Sequence, residues 1–250
     1  MDLHELTRYL DEYLRVDVTP DYPPAFNGLQ IEAEGPVRRA AFAVDACRFT
    51  IEAAIELNAD LLVVHHGLFW SGAAPVTGPL YRRLAGLIKN NIALYSAHLP
   101  LDVHEEVGNN RVLCRLLGLK VVGSWAPYQG IDIGLIAEGE GSPTGLKASL
   151  DAALDTSTRI IAGGGDIARR IAVLTGSGAA EAGLAASLGC DTLITGEGPH
   201  HSYFLAEESN LNVLLAGHYA TETLGVRALA DHLEARLGLE TVFIDHPTGL

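Results

Sequence analysis

The stretch Leu57-Asn58-Ala59-Asp60-Leu61-Leu62-Val63-Val64-His65-His66 lines up without a gap on Leu188-Gly189-Cys190-Asp191-Thr192-Leu193-Ile194-Thr195-Gly196-Glu197. Each copy reads as the end of a helix, an aspartate, a short apolar run and then a polar pair. Short apolar runs bounded by turn residues are expected for strands buried on both faces of a parallel sheet. A second block, Leu94-Tyr95-Ser96-Ala97-His98, lines up on Leu214-Leu215-Ala216-Gly217-His218, and each histidine is followed four residues later by a carboxylate, Asp102 or Glu222. The two blocks are 32 residues apart from His66 to His98 and 21 apart from Glu197 to His218, so the pattern reads as a duplication with unequal connections.

Working outward, strand and helix patterns alternate along most of the chain, the signature of an α/β fold with largely parallel strands. Strands are expected at 39–44, 61–64, 92–97, 131–137, near 160, and at 170–174, 192–195, 213–216 and 241–245. Helices are expected at 50–57, 81–90, 110–117, 144–154, 177–188 and 221–237. The segment 124–130, with Trp125, Pro127 and Tyr128, lacks a clear period and reads as a hinge between an N-terminal lobe, 1–123, and a C-terminal lobe, 124–250.

The 250 residues are 48% hydrophobic, enough for a substantial core, and 31 acidic against 17 basic side chains give a net charge of −14. That charge argues against nucleic acid or an anionic membrane as partner, since phosphates are bound by clustered Lys and Arg. Met1-Asp2-Leu3-His4-Glu5 is not the start of a signal peptide, and no apolar run approaches a membrane span. Three dispersed cysteines, Cys47, Cys114 and Cys190, fit buried thiols in a reducing compartment, so a soluble cytoplasmic protein is expected.

Ligands in open α/β folds gather beyond the carboxyl ends of parallel strands. His65, His66, His98, Asp102, Gly196, Glu197, His218 and Glu222 all stand at or just past expected strand ends. A single histidine there is commonly a hydrogen-bonded structural residue; the convergence of five ligand-type residues is what points to metal. Imidazoles and carboxylates without thiolates suit Zn, Fe or Mn. Neighbouring His65 and His66 should point apart along an extended chain, which favours two ions over one. One arrangement puts His66 and Asp102 on one ion, His65 and His218 on the other, with Glu222 bridging, although which histidine takes which ion stays open. Two ions about 3.5 to 4 Å apart lower the pKa of a shared water from about 15.7 towards about 7, which is hydrolytic machinery. His98 would then move protons or orient substrate, and Glu197 would act as base or as acceptor for an imidazole N–H.

The remaining motifs are weaker. Gly176-Ser177-Gly178 reads as a tight turn more than a phosphate cradle, and Gly163-Gly164-Gly165 as a mobile turn. His200 and His201 either line the cleft mouth or begin a helix in solvent, while His4, His104, His232 and His246 are expected in exposed or capping positions.

Asn27-Gly28-Leu29-Gln30, Val64-His65-His66-Gly67-Leu68-Phe69-Trp70, His98-Leu99-Pro100-Leu101-Asp102, Gly108-Asn109-Asn110, Thr195-Gly196-Glu197 and Gly217-His218-Tyr219-Ala220-Thr221-Glu222 together resemble the Nif-three-like dinuclear metal centre family, in order and over nearly the whole chain. The match is to the short bacterial type without an inserted domain, catalogued as GTP cyclohydrolase type-two homologues. Gly67 stands where many relatives have proline. The resemblance implies a duplicated, intertwined two-lobe fold with the site in the inter-lobe cleft. It also implies a homohexamer built as a trimer of dimers and two divalent metals per subunit on His65, His66, Asp102, His218 and Glu222. It points to a metal-dependent hydrolase acting on a nucleotide or similar small anion. A metallophosphatase or phosphodiesterase, or a non-enzymatic metal-binding assembly protein, are the competing readings.

Overall fold

The computed structural model describes residues 1–70 and 72–250. In chain order the strands are β1 (Gly28–Ile31), β2 (Arg39–Asp45), β3 (Leu61–His66), β4 (Ala93–Ser96), β5 (Lys120–Tyr128), β6 (Ile131–Gly141), β7 (Arg159–Ala162), β8 (Ala168–Leu174), β9 (Thr192–Thr195), β10 (Asn212–Leu215) and β11 (Glu240–Phe243). The helices are α1 (Leu3–Leu14), α2 (Arg48–Glu56), α3 (Gly78–Lys89), α4 (Leu99–Asp102), α5 (Asn109–Leu116), α6 (Pro143–Leu154), α7 (Ala182–Ser187), α8 (Ser202–Glu208) and α9 (His218–Leu237). Two compact units result, one of Met1–Val107 with Gly225–His246, the other of Gly108–Leu224 with Pro247–Leu250. These units do not follow an equal split at 123/124. Helix α9 begins in the second unit and belongs to the first from Gly225 onward.

The first unit holds a five-stranded sheet in the order β1-β4-β3-β2-β11. β11, β2, β3 and β4 are parallel, and β1 closes the edge antiparallel to β4. Leu61 to His65 are all buried, as a parallel strand covered on both faces requires. Ala41, Ala43, Ile51, Ala54, Leu62, Val64, Leu87 and Leu94 form one continuous core. Helix α1 starts at Asp2, whose carboxylate accepts the amides of His4 and Glu5 at 3.0 and 3.1 Å. It buries Leu3, Leu6, Leu10 and Leu14, one helical face.

The second unit repeats the plan in a six-stranded sheet, β5-β6-β8-β9-β10-β7. Strands β8, β9 and β10 are parallel, like β2, β3 and β4, and β7 flanks β10 antiparallel as β1 flanks β4. The difference lies at the other edge, where the β5–β6 hairpin joins β8 antiparallel, so this sheet is mixed. The segment 124–130 is therefore strand and turn rather than hinge. Tyr128 pairs with Ile131 across Gln129 and Gly130, whose φ values of 46° and 92° make a tight two-residue hairpin turn. The helix expected at 177–188 is a 3-10 turn at Ala179–Glu181 followed by α7.

Backbone bonds fix the duplication residue by residue. Asp60 accepts the amides of Arg38 and Arg39 at 2.7 and 3.0 Å, and Asp191 accepts those of Arg169 and Arg170, both at 3.0 Å. The Arg39 guanidinium reaches the Leu57 carbonyl as that of Arg170 reaches Leu188. The first sequence block thus aligns as expected. The second does not: Ala97 N–H donates to Val64 and Ala216 N–H to Thr195, at 3.0 and 2.8 Å, so Ala97 matches Ala216 and His98 matches Gly217, not His218. Apolar strands look alike after a one-residue slip, whereas the ladder does not.

Among the described residues, no helix is long and apolar enough to cross a membrane. His104 caps the turn that follows it, as expected, and His232 is half-buried against Tyr9 and Tyr13. Tyr13 stacks on His232 at 4.0 Å and tilts against His104 at 4.4 Å, and Tyr9 OH lies 2.6 Å from His232 Nε2. His104 Nε2–H donates to the Tyr13 carbonyl at 2.9 Å, and its Nδ1 accepts the amides of Glu106 and Val107, both at 3.2 Å. Burial lowers its pKa against the pull of Glu106 and Glu105. The folded protein therefore keeps His104 neutral where the unfolded chain takes a proton, and stability falls as pH drops through the unfolded value of about 6.5. Denaturant unfolding at pH 7.5 and 5.5 should show a smaller loss of stability in His104→Gln than in the wild type; equal losses would remove His104 from the acid response.

Candidate metal centre

In the first unit, three imidazoles are each held through Nδ1 by an acceptor from a different element. His65, at the end of β3, donates Nδ1–H to the Ala97 carbonyl at 2.9 Å, and its Nε2 lies 3.6 Å from Asp102 Oδ2 on α4. His66 donates to Asp45 Oδ1, at the end of β2, at 2.9 Å. His98 donates to Asp21 Oδ1 at 2.8 Å. Asp21 Oδ2 in turn accepts the Leu99 amide at 2.9 Å and the Asn27 side-chain amide at 2.8 Å, and Asn27 Oδ1 accepts His98 N–H at 2.7 Å. Burial alone would raise the Asp21 carboxyl, but the bonds from His98, Asn27 and Leu99 outweigh it and hold it below the usual carboxylate range.

Because carbonyl and carboxylate oxygens only accept, each Nδ1 carries a proton, which leaves Nε2 as the nitrogen that could serve as a ligand. One nitrogen from each of His65, His66 and His98 falls within 4.8 Å of the others, and the rings of His65 and His66 lie 4.7 Å apart. The expected divergence of these neighbours does not occur, since Asp45 on the adjacent strand draws the His66 ring over. Imidazoles with a carboxylate beside them form a group that could hold a metal ion.

In the second unit, His218 opens α9 immediately after β10. Its Nδ1 lies 2.8 Å from Glu197 Oε1 and its Nε2 3.1 Å from Glu222 Oε2. Burial alone would lower the His218 pKa; the Glu222 and Glu197 carboxylates instead raise it to about 9. Gly176 permits this geometry, because its φ is +69° and a Cβ there would stand 2.3 Å from Glu222 Oε1. The amides of Gly176 and Gly178 are taken by Thr221 Oγ1 and Thr195 Oγ1 at 3.1 and 2.9 Å, so Gly176-Ser177-Gly178 is a braced turn, not a phosphate cradle.

Known proteins carry the same chain plan. The sequence model of the Duf34/NIF3 (NGG1p interacting factor 3) family matches residues 1–249. The chain belongs to the Duf34/NIF3 family. A Pyrococcus abyssi relative, named GTP cyclohydrolase 1 type 2 homolog, is 45% identical with 100% of both chains covered. A Deinococcus radiodurans relative of the same name is 44% identical over 98% of this chain and 94% of its own. The crystal structure of TTHA1606 from Thermus thermophilus matches over 100% of both chains at 44% identity with a TM-score of 0.90. The solved structure of a protein called ybgI matches over 100% of both chains at 36% identity with a TM-score of 0.94.

Within this NIF3-family chain, Asp21 and Asp45, which orient His98 and His66, stand outside the expected set of site residues. Asn27 is visible only as part of a motif. His200 and His201 are exposed, and His201 directly precedes α8. His4 is exposed and pairs with Glu32 at 2.9 Å, and His246 stacks on Phe49 at 4.1 Å. Cys114 and Cys190 are buried, burial pushing the Cys114 thiol up to about 11, and Cys47 is half-buried.

Proposed function

We propose that this NIF3-family chain is a divalent-metal-dependent hydrolase of a nucleotide or related small anion, working as a cytoplasmic homohexamer built as a trimer of dimers. His65, His66, Asp102, His218 and Glu222 would hold two divalent ions, Zn, Fe or Mn. The observation that carries this reading is the anchoring of His65 and His66 through Nδ1 by the Ala97 carbonyl and Asp45, with Asp102 beside His65 and His98 alongside both rings. Support also comes from the names of the relatives. Divalent ions held there would supply Lewis-acid polarisation and a lowered pKa of water.

The chain's own groups do the rest. Asp21 keeps His98 in one tautomer, with Nε2 left to accept and return a proton. Glu197, bonded to His218 Nδ1, fixes the orientation of that ring and raises its basicity.

Protein purified without chelator should contain about two divalent ions per chain and turn over one member of a nucleotide and phosphoester panel supplied with Mn, Fe, Zn or Mg. His98→Asn should keep the metal and lose most of that turnover. Full metal occupancy with no turnover on any substrate would favour the assembly role, and absence of metal would overturn the proposal.

A further inference from the structure

The loop after β3 carries Trp70, and its indole behaves unlike the other tryptophan of the chain. Trp125 donates its N–H to the Val173 carbonyl at 3.3 Å. Trp70 Nε1 is sealed from solvent and has no hydrogen-bond partner among the described residues. The ring stands edge-on to His98 at 4.8 Å, with an interplanar angle of 84°, and to His66 at 5.9 Å, with an angle of 77°. The orphan donor thus belongs to a ring packed on two of the three imidazoles of the candidate metal centre.

An indole N–H can only donate. Buried polar groups are overwhelmingly paired in native proteins, and one left unpaired loses its hydration with nothing in exchange. Neither imidazole satisfies the indole: each Nδ1 is bonded to a carboxylate, and Trp70 Nε1 makes no hydrogen bond to either ring. Its acceptor must therefore come from outside the described residues.

We infer that Trp70 is a substrate-binding residue whose indole N–H donates to an oxygen of a phosphate-bearing substrate held beside His66 and His98. This inference rests on the metal-hydrolase reading above, and it adds a direct contact to the anion made by the protein itself. Loss of the N–H should weaken anion binding without disturbing the metal, since Trp70 contributes no ligand atom.

Inorganic phosphate and the Zn-loaded protein provide the test. With two tryptophans in the chain, the indole ¹H–¹⁵N spectrum has two resonances, and the one absent from Trp70→Phe is that of Trp70. In the wild type this resonance should move downfield and saturate as phosphate is added, while that of Trp125 stays in place. Trp70→Phe, with Zn content equal to wild type by elemental analysis, should bind phosphate about tenfold more weakly.

A Trp70 resonance indifferent to phosphate, as a bridging water would leave it, overturns the assignment. So does undiminished phosphate affinity in a Zn-replete Trp70→Phe. Failure of the wild type to take up Zn overturns the metal reading together with this one, and so is distinguishable from failure of Trp70 alone.

Discussion

Glu222→Gln should lose the divalent metal proposed for this site and, with it, all turnover. The Glu222 side chain is only 4% exposed and lies 3.1 Å from His218 Nε2. Glutamine matches its shape, so the turn at Gly176 and the start of α9 need not move. What disappears is the negative charge and the second equivalent oxygen; the amide offers one weaker acceptor and an NH₂ group with no lone pair for a cation. Groups that merely orient a ligand contribute about 10–100-fold in metal affinity, and a direct carboxylate ligand more than that. Glu197→Gln, which alters only the partner of His218 Nδ1, should fall within that smaller range. Elemental analysis gives the occupancy, and thermal denaturation gives an independent readout. Added Zn should raise the Tm of the wild type by mass action and leave that of Glu222→Gln unchanged, the metal-free variant melting lower than the metal-free wild type because the buried carboxylate beside His218 is gone. A Glu222→Gln variant that binds metal like the wild type would remove Glu222 from the ligand set.

Glu222, His218 and the His65-His66 pair are visible in the sequence because each follows a recognisable strand and carries unusual chemistry for that place. Asp60 and Asp191 are visible too, since an aspartate just ahead of an apolar run can cap a strand entry, and both do so through two consecutive amides. The signal for α1 was present and passed over: Asp2 is a good cap, and Leu3, Leu6, Leu10 and Leu14 share one helical face. Other features are invisible in principle to a linear reading. Asp45 is 21 residues from His66 and Asp21 is 77 from His98, so only the folded chain joins them. The one-residue offset that pairs His98 with Gly217 lies in the ladder, not in side-chain identity. The β5–β6 turn hides for a different reason. Gln129 takes a positive φ that Asn or Asp would have advertised, and Trp125 and Pro127 obscure the alternation before it.

Gly163-Gly164-Gly165, which reads as a mobile turn, supplies the sharpest stability test, because the three glycines meet different surroundings. A Cβ on Gly163 would sit 2.3 Å from the Ala206 carbonyl oxygen and 2.6 Å from that of Leu211. Both obstacles are backbone, both residues are fully buried, and the Ala206 oxygen already accepts the Leu211 amide at 3.0 Å. Neither can step aside without disturbing the end of α8 or the entry to β10. Gly164 N–H donates to Asn212 Oδ1 at 3.1 Å, and Asn212 returns a bond to the Gly165 carbonyl at 2.8 Å, so the turn is tied down on the same side. Gly163→Ala should therefore destabilise the fold by about 3 kcal/mol, the upper range for overpacking, and lower the Tm by about 6–12 °C. Gly165→Ala is the internal control, since nothing lies within 4 Å of its Cβ position. With no left-handed φ to oppose it, that change should be neutral or raise stability by up to about 1 kcal/mol through the unfolded chain. Thermal melts of the two variants side by side separate space from flexibility. Equal, small shifts would mean that the turn yields as freely as its composition suggests. A large loss confined to Gly163→Ala would mean that the glycine serves to bring β7 against β10, the strand that delivers His218 to its carboxylates.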